Sequence, residues 1–240
     1  MIAERRDRSR RLLLPVAEAA AEGGGHVVVG DDVAPLLDRI EARAAEAIER
    51  ICGGAFPPAG EDRAYLALLF GFQILLGRGH RERAAQVAEA LGEVIGGSLP
   101  EAEDEPEGSA AEGAVDEGER VRRALAAVPD SGRFLSARTW QLVRFPGRLL
   151  LTSDSPALLW TRPGSPVAHR WGLGGADEVR IPLDPRHALI IARHGPAGEV
   201  VRDLGDRHAR ALNRTVAESA AWMYYHPESD PLGEVELTLP

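Results

Sequence analysis

Apolar positions along this chain recur at two different spacings, and the change from one to the other falls near residue 139. Before it the spacing is helical. Val33, Leu36, Leu37, Ile40, Ala44, Ala47, Ile48 and Ile51 share one face and predict a helix over 33–52. Asp31 or Asp32 offers its N-cap, and Gly53-Gly54 with Pro57-Pro58 end it. The stretch EDRAYLALLFGFQILL predicts a second helix over 61–76, apolar around most of its circumference and therefore central and buried. Gln73 lies within it, so its amide needs hydrogen-bonding partners there. Ala84, Val87, Ala88, Leu91, Val94 and Ile95 predict a third helix over 80–95, and a fourth is expected over 116–128, stopped by Pro129-Asp130-Ser131-Gly132. Upstream, a short helix is expected over Arg10 to Ala21, with His26 to Val29 as a strand or extended lead-in.

From 139 onward short apolar runs alternate with Pro, Gly and Asp turn signals. They predict strands at 139–145, 148–153, 157–162, 177–182 and 187–193. Most connections are too short for crossover helices, so the sheet is expected to be largely antiparallel. A last helix over 205–223, with Ala209, Leu212, Val216, Ala220 and Met223 on one face, is expected to cover it. Glu234 to Leu239 alternates like an edge strand. The fold class is thus α+β: an N-terminal helical layer followed by a mostly antiparallel sheet covered by a C-terminal helix. Residues 1–30 read as an N-terminal arm, 31–95 as a helical region and 96–118 as an acidic flexible linker. Residues 119–240 read as the sheet and its helix, packing with 31–95 as one domain.

Charge changes this picture in one respect. The net charge is −9, but residues 101–119 hold nine acids and no base, so the rest of the chain is close to neutral. A concentrated basic face for nucleic acid is therefore not expected. All 28 basic residues are arginine, which with abundant Ala, Gly and Pro suggests a genome rich in G and C. Each arginine is correspondingly weaker evidence for phosphate binding. No run of 18 uncharged apolar residues appears, so no membrane span is expected. Ser9-Arg10-Arg11-Leu12-Leu13-Leu14 resembles a twin-arginine export signal, but Pro15, Glu18 and Glu22 interrupt it, and a cytoplasmic location is expected.

Few residues carry a chemical signature. The lone Cys52 lies on an apolar helical pattern and reads as a small buried hydrophobe. The seven histidines make no HExxH pattern and no zinc-type spacing, so no metal is expected and no cofactor is assigned. Arg193-His194-Gly195 looks briefly like a histidine-phosphatase motif, but it follows several strands and reads as a strand-end turn. Gly172 and Gly174-Gly175 read as a loop between strands. Arg78, His80, Arg81 and Arg83 cluster at the expected start of the third helix, where backbone donors and guanidinium groups favour an anion. Asp154 sits in the corner Thr152-Ser153-Asp154-Ser155-Pro156, either as a turn residue bonded to its own backbone or as a base, anchor or ligand in a cleft.

Three stretches resemble the bacterial domain-of-unknown-function family catalogued as number 4238. They are LLFGFQILLGRGHRER with Gln73 and Arg78, Trp140 followed by LLLTSDSPALLW, and ADEVRIPLDPRHALIIA with Asn213 in the final helix. The similarity covers roughly 61–225. Members typically start with a His-x-x-Pro segment leading into a strand, to which His26 and its three valines are a poor match. The resemblance supports the fold and carries no reaction.

Two functions follow. In the first, a cleft between helices and sheet handles an anionic small molecule, in the manner of a hydrolase or transferase. There Arg78 and His80 hold the anion, Asp154 is acid/base or anchor with His80 as a second catalytic candidate, Ser155 binds substrate beside it, and Gln73 and Asn213 bind and orient. In the second, the protein is a non-catalytic binding or accessory protein acting through a partner chain, and the same residues brace the strand corner. A nucleic-acid-directed effector is a weaker alternative, and the oligomeric state is not legible.

Overall fold

The computed structural model describes residues 1–5, 11–13, 34–76, 117–165, 172–195 and 198–226. Strands β1 (Ile2–Arg5) and β2 (Arg11–Leu13) come first, then helices α1 (Ala34–Cys52), α2 (Gly60–Leu76) and α3 (Glu117–Ser136). Strands β3 (Thr139–Arg144), β4 (Thr152–Ser153) and β5 (Leu158–Trp160) follow, with the short helix α4 (Gly172–Gly175). The chain continues through β6 (Glu178–Asp184), β7 (His187–Ala192), β8 (Val200–Asp203), α5 (Asp206–Ser219) and β9 (Trp222–Tyr225). The expected α+β class holds, with mostly antiparallel strands.

Five strands form the main sheet in the order β5-β6-β7-β3-β8, antiparallel except for the β3–β8 pair. Side chains alternate between its faces. Trp140 and Leu142 of β3 stand in register with Ile191 and Leu189 of β7, which oppose Val179 and Ile181 of β6. Trp140, Ile191, Leu189, Val179 and Ile181 pack with Ala44, Ile51, Leu66, Phe70 and Leu135 of the helices, and Leu142 is buried on the same face by alternation. Val143, Ala188 and Leu158 point the other way, onto Ala209, Leu212 and Val216 of α5. The sheet is thus covered on both faces, as its near-continuous apolar runs require.

The second sheet, in the order β2-β1-β9-β4, was not expected. Its strands are short, and the stretch foreseen as a strand over 148–153 pairs only at Thr152–Ser153. The helix foreseen over 205–223 ends at Ser219, and Trp222–Tyr225 becomes β9 between β1 and β4. Arg11–Leu13 is strand rather than the expected helix, because β1 offers it a backbone ladder and Ala3 is fully buried in between. Glu4 of β1 is also buried and accepts a hydrogen bond from the Tyr225 hydroxyl. The helix expected over 80–95, nearly all of the acidic segment 96–118 and the strand at 234–239 lie outside the described residues.

Helix α3 runs through Pro129 to Ser136, past the turn that Pro-Asp-Ser-Gly suggested. Proline inside a helix costs about 3 kcal/mol through its missing N–H and its clash. Val128 and Leu135 lie on either side of it and are both buried. Each contributes roughly 1.5–3 kcal/mol, enough to offset the proline. The small residues are where α2 and α3 touch. A carbon added at Gly132 would lie 3.1 Å from Leu68 Cδ2, and one at Gly71 would lie 3.4 Å from Ser131 Cβ. Gly132→Leu should therefore force the helices apart and lower stability by about 1–3 kcal/mol. Gly205→Ala, where the added carbon meets nothing within 4 Å but the residue is the N-cap of α5, should cost at most about 1 kcal/mol. Chemical denaturation of the two variants measures the contrast.

Candidate functional site

The corner around Asp154 is occupied by structural bonds. Its Oδ1 accepts from the backbone N–H groups of Ala221 at 3.0 Å and Trp222 at 3.2 Å. Its own N–H donates to the Trp222 carbonyl at 3.1 Å. One side chain thus fixes the point where α5 turns into β9. Ser155, buried, donates its backbone N–H to Ser153 Oγ at 3.1 Å, which closes the corner locally. Asn213 is fully buried on α5, accepting from the Leu151 N–H at 3.1 Å and donating to the Leu149 carbonyl at 3.1 Å. Its amide supplies a strand-like pairing to a segment with no neighbouring strand there.

Asp154, Ser155 and Asn213 are thus brought to one region, beneath α5 and β9. Gln73 is not. It lies in the helical layer on the far side of the main sheet, where its neighbours Phe72 and Ile74 pack among helix residues. Its Oε1 is buried and finds no hydrogen-bond donor among the described residues. Arg78 and His80 lie outside the described residues. The proposed meeting of the Thr-Ser-Asp corner with the Gln73 helix fails because the five-stranded sheet separates them.

A different polar cluster forms where β3 begins and β7 ends. Arg138 precedes β3 and is only 8% exposed. Its Nη2 donates to the carbonyls of Leu173 and Ala176, each at 3.0 Å, and its guanidinium stacks over Phe134 at 4.5 Å. Arg193, at the end of β7, donates through Nη2 to the Gly174 carbonyl. The segment read as a loop is thus a single helical turn, α4, whose carbonyls receive both guanidinium groups. In this cluster two enclosed nitrogens, Arg138 Nη1 and Arg193 Nε, find no acceptor among the described residues. Burial first, and the neighbouring Arg193 second, pull Arg138 down to about 10. Arg138 remains charged at neutral pH.

Asp177 opposes this positive charge only in part. Its carboxylate accepts from the Arg162 N–H at 2.8 Å and Ser165 Oγ at 3.1 Å, and those bonds, the first above all, hold it below the usual carboxylate range. Arg63 of α2 reaches the same end of the sheet, stacking over Trp140 at 4.5 Å and binding the carbonyls of Ser136 and Arg138. Its charge is matched by Glu199. Arg138 gave no sequence signal, being one arginine among many. Arg193 was visible only as a strand-end residue.

At the other end of β6, Asp184 and His187 flank a two-residue turn. Asp184 Oδ1 accepts from the N–H groups of Arg186 at 2.6 Å and His187 at 2.7 Å, and Oδ2 meets His187 Nδ1 at 2.7 Å. Cys52, the last residue of α1, joins them, so that thiol, carboxylate and imidazole atoms all lie within 4.8 Å of one another. Burial, then the Asp184 carboxylate, pushes the Cys52 thiol up to about 12. It is therefore a protonated thiol at neutral pH and a poor nucleophile. No zinc-type spacing in the linear sequence announced this set, since its members come from distant elements.

The model of the family described as protein of unknown function (DUF4238) matches residues 35–229. The chain belongs to that family. Strands β1 and β2 precede the matched region, so this member carries an N-terminal hairpin outside it. No curated protein and no solved structure matches the chain. Among the described residues no helix is long and apolar enough to cross a membrane.

Bracing by Asp154 and Asn213 makes a direct prediction. Asp154→Ala leaves two backbone donors without their acceptor, and Asn213→Ala strands the Leu151 N–H and the Leu149 carbonyl in the core. Each orphaned group costs about 1–3 kcal/mol. Both variants should unfold at lower denaturant concentration, Asn213→Ala more so because its site is dry. Equilibrium urea unfolding with an unchanged slope checks both.

Proposed function

We propose that this DUF4238 protein binds a small anion, a carboxylate or phosphate group, through Arg138 and Arg193 at the junction of helical layer and sheet. The observation that carries this reading is the pair of enclosed guanidinium nitrogens without acceptors, Arg138 Nη1 and Arg193 Nε. A charge taken out of water is costly unless it is paired. Here two like charges are held together against their repulsion by carbonyl dipoles and in part by the Asp177 carboxylate, whose hydrogen bonds go to other donors. An anion would satisfy both free nitrogens and relieve the repulsion. Guanidinium groups suit planar carboxylates and phosphates, which accept two parallel bonds.

The alternative within this reading is catalysis at the Thr-Ser-Asp corner. The bonds from Asp154 to Ala221 and Trp222 favour binding without catalysis, because an acid or base must be released to move a proton. Arg78 and His80 carry no weight either way.

Calorimetric titration of the full chain with inorganic phosphate and with succinate tests the proposal. One of the two should bind with a stoichiometry of one and raise the melting temperature. A hydrogen bond to a charged group contributes roughly 1.5–3 kcal/mol, so Arg138→Met and Arg193→Met should each weaken binding about ten- to hundred-fold. Arg138→Lys should restore only part, since lysine keeps the charge but cannot hold the Leu173 and Ala176 carbonyls and an anion together. Affinity requires the protonated guanidinium. It should therefore hold from neutral pH upward and fall as pH rises through the Arg138 value of about 10. Absence of binding at millimolar concentration, or methionine variants that bind as tightly as the unmutated protein, would leave the arginines as mere clamps of α4.

A further inference from the structure

We propose that Cys52, Asp184 and His187 form a binding site for one divalent transition-metal ion, with Zn2+ the best-matched cation. This site is independent of the anion reading. Arg193 and Asp177 lie at one end of the β6–β7 pair and Asp184 at the other, roughly 20 Å apart at about 3.3 Å per strand residue.

The fold assembles the three donors by a specific device. Pro182 opposes Ala188 while Asp184 opposes His187, so β6 carries one extra residue, Leu183, at this point. Without that bulge Asp184 would share the face of Pro182 and look toward α5. With it, Asp184 is turned to the face of His187 and Leu189, where α1 packs. There α1 delivers Cys52, half-buried beside Leu183 in the same apolar cluster.

The turn itself needs only half of this arrangement. Asp184 Oδ1, accepting from the N–H groups of Arg186 and His187, is sufficient to cap it. The second oxygen, the imidazole and the thiol converge beyond that requirement. One sulfur, one nitrogen and one oxygen within 4.8 Å are close to a metal-ligand set. Donors around a tetrahedral zinc stand roughly 3.3–3.8 Å apart, given bonds of about 2.0–2.3 Å. Small side-chain rotations close the difference.

The donor types select the metal. Thiolate and imidazole favour Zn2+ over Mg2+ or Ca2+, which prefer oxygen. A bound dication deprotonates a coordinating thiol outright, so the cation would replace the thiol proton and take the place between Asp184 and His187. The amide groups of Arg186 and His187 would hold the carboxylate from behind, a supporting shell that is already formed. Three protein donors leave a fourth position for water or a ligand. A cysteine–histidine nucleophile is the rival chemistry. It is disfavoured because His187 Nδ1 is bonded to Asp184 Oδ2 at 2.7 Å rather than to the thiol.

The test uses the full chain, stripped with a chelator and titrated with Zn2+ and Co2+. One equivalent of Co2+ should bind and give a thiolate-to-metal charge-transfer band, absent in Cys52→Ser. Asp184→Asn and His187→Gln should each lower Zn2+ affinity, measured against a chromophoric chelator, by at least ~10-fold, the least that loss of even a supporting partner costs. Circular dichroism tells lost ligation from lost folding. Because Cys52 is the chain's single cysteine, alkylation of the unmutated protein, run at alkaline pH until the metal-free thiol reacts, gives a second readout that needs no variant. One equivalent of Zn2+ should suppress it. Unchanged alkylation with Zn2+ present, or Co2+ binding without a thiolate band, would overturn the site.

Discussion

Strand β3 carries apolar side chains on both of its faces, and both must be taken out of water. Trp140 goes to the helical layer, with Leu142 on the same face by alternation, and Val143 goes to α5. Burying an aromatic or aliphatic side chain contributes a few kcal/mol, against about 1 kcal/mol net for an ordinary hydrogen bond. The two-sided demand therefore outranks local turn signals. It draws α1, α2 and α3 onto one face and α5 onto the other, and it fixes the register of β7 and β6 on β3. Once both faces are covered, polar side chains gather at the ends of the strands.

That consequence organises the chemistry of the molecule. At one end Arg138, Arg193 and Asp177 emerge beside α4, and at the other Asp184 and His187 emerge beside the end of α1. Between them the sheet is dry on the helical face. The same constraint separates residues that looked like partners. Gln73 belongs to the helical layer, while Asp154 and Asn213 belong to the α5 side. A cleft drawn through all three would have to cross the sheet.

The second sheet shows how weak segments acquire structure from their surroundings. Ile2–Arg5 and Trp222–Tyr225 are each four residues long and would not hold together alone. They persist because Met223, Tyr225 and Ile2 join the α5 cluster, and because Asp154 pins the entry to β9. Its carboxylate therefore acts through geometry.

The chain's own pattern was enough for the elements whose period is long and strong. Helices α1 and α2 lie within a residue of their expected starts and ends, and β3, β5, β6 and β7 lie where the alternation and turn residues placed them. The α+β class followed from the single switch of period near Thr139. Distant contacts decided the rest. Proline and glycine in α3 read as a stop because their local preference is for turns, and only the contact with Leu68 and Gly71 shows why a helix wants small residues there. A four-residue strand such as β9 has too little alternation to announce itself. The polar clusters were hardest to see. Arg138 meets Arg193 across a sheet, and Cys52 meets Asp184 and His187 through a helix end and a one-residue bulge. Spacing along a chain records neighbours within one element. Convergence of distant side chains depends on register and packing, which only the folded sheet sets.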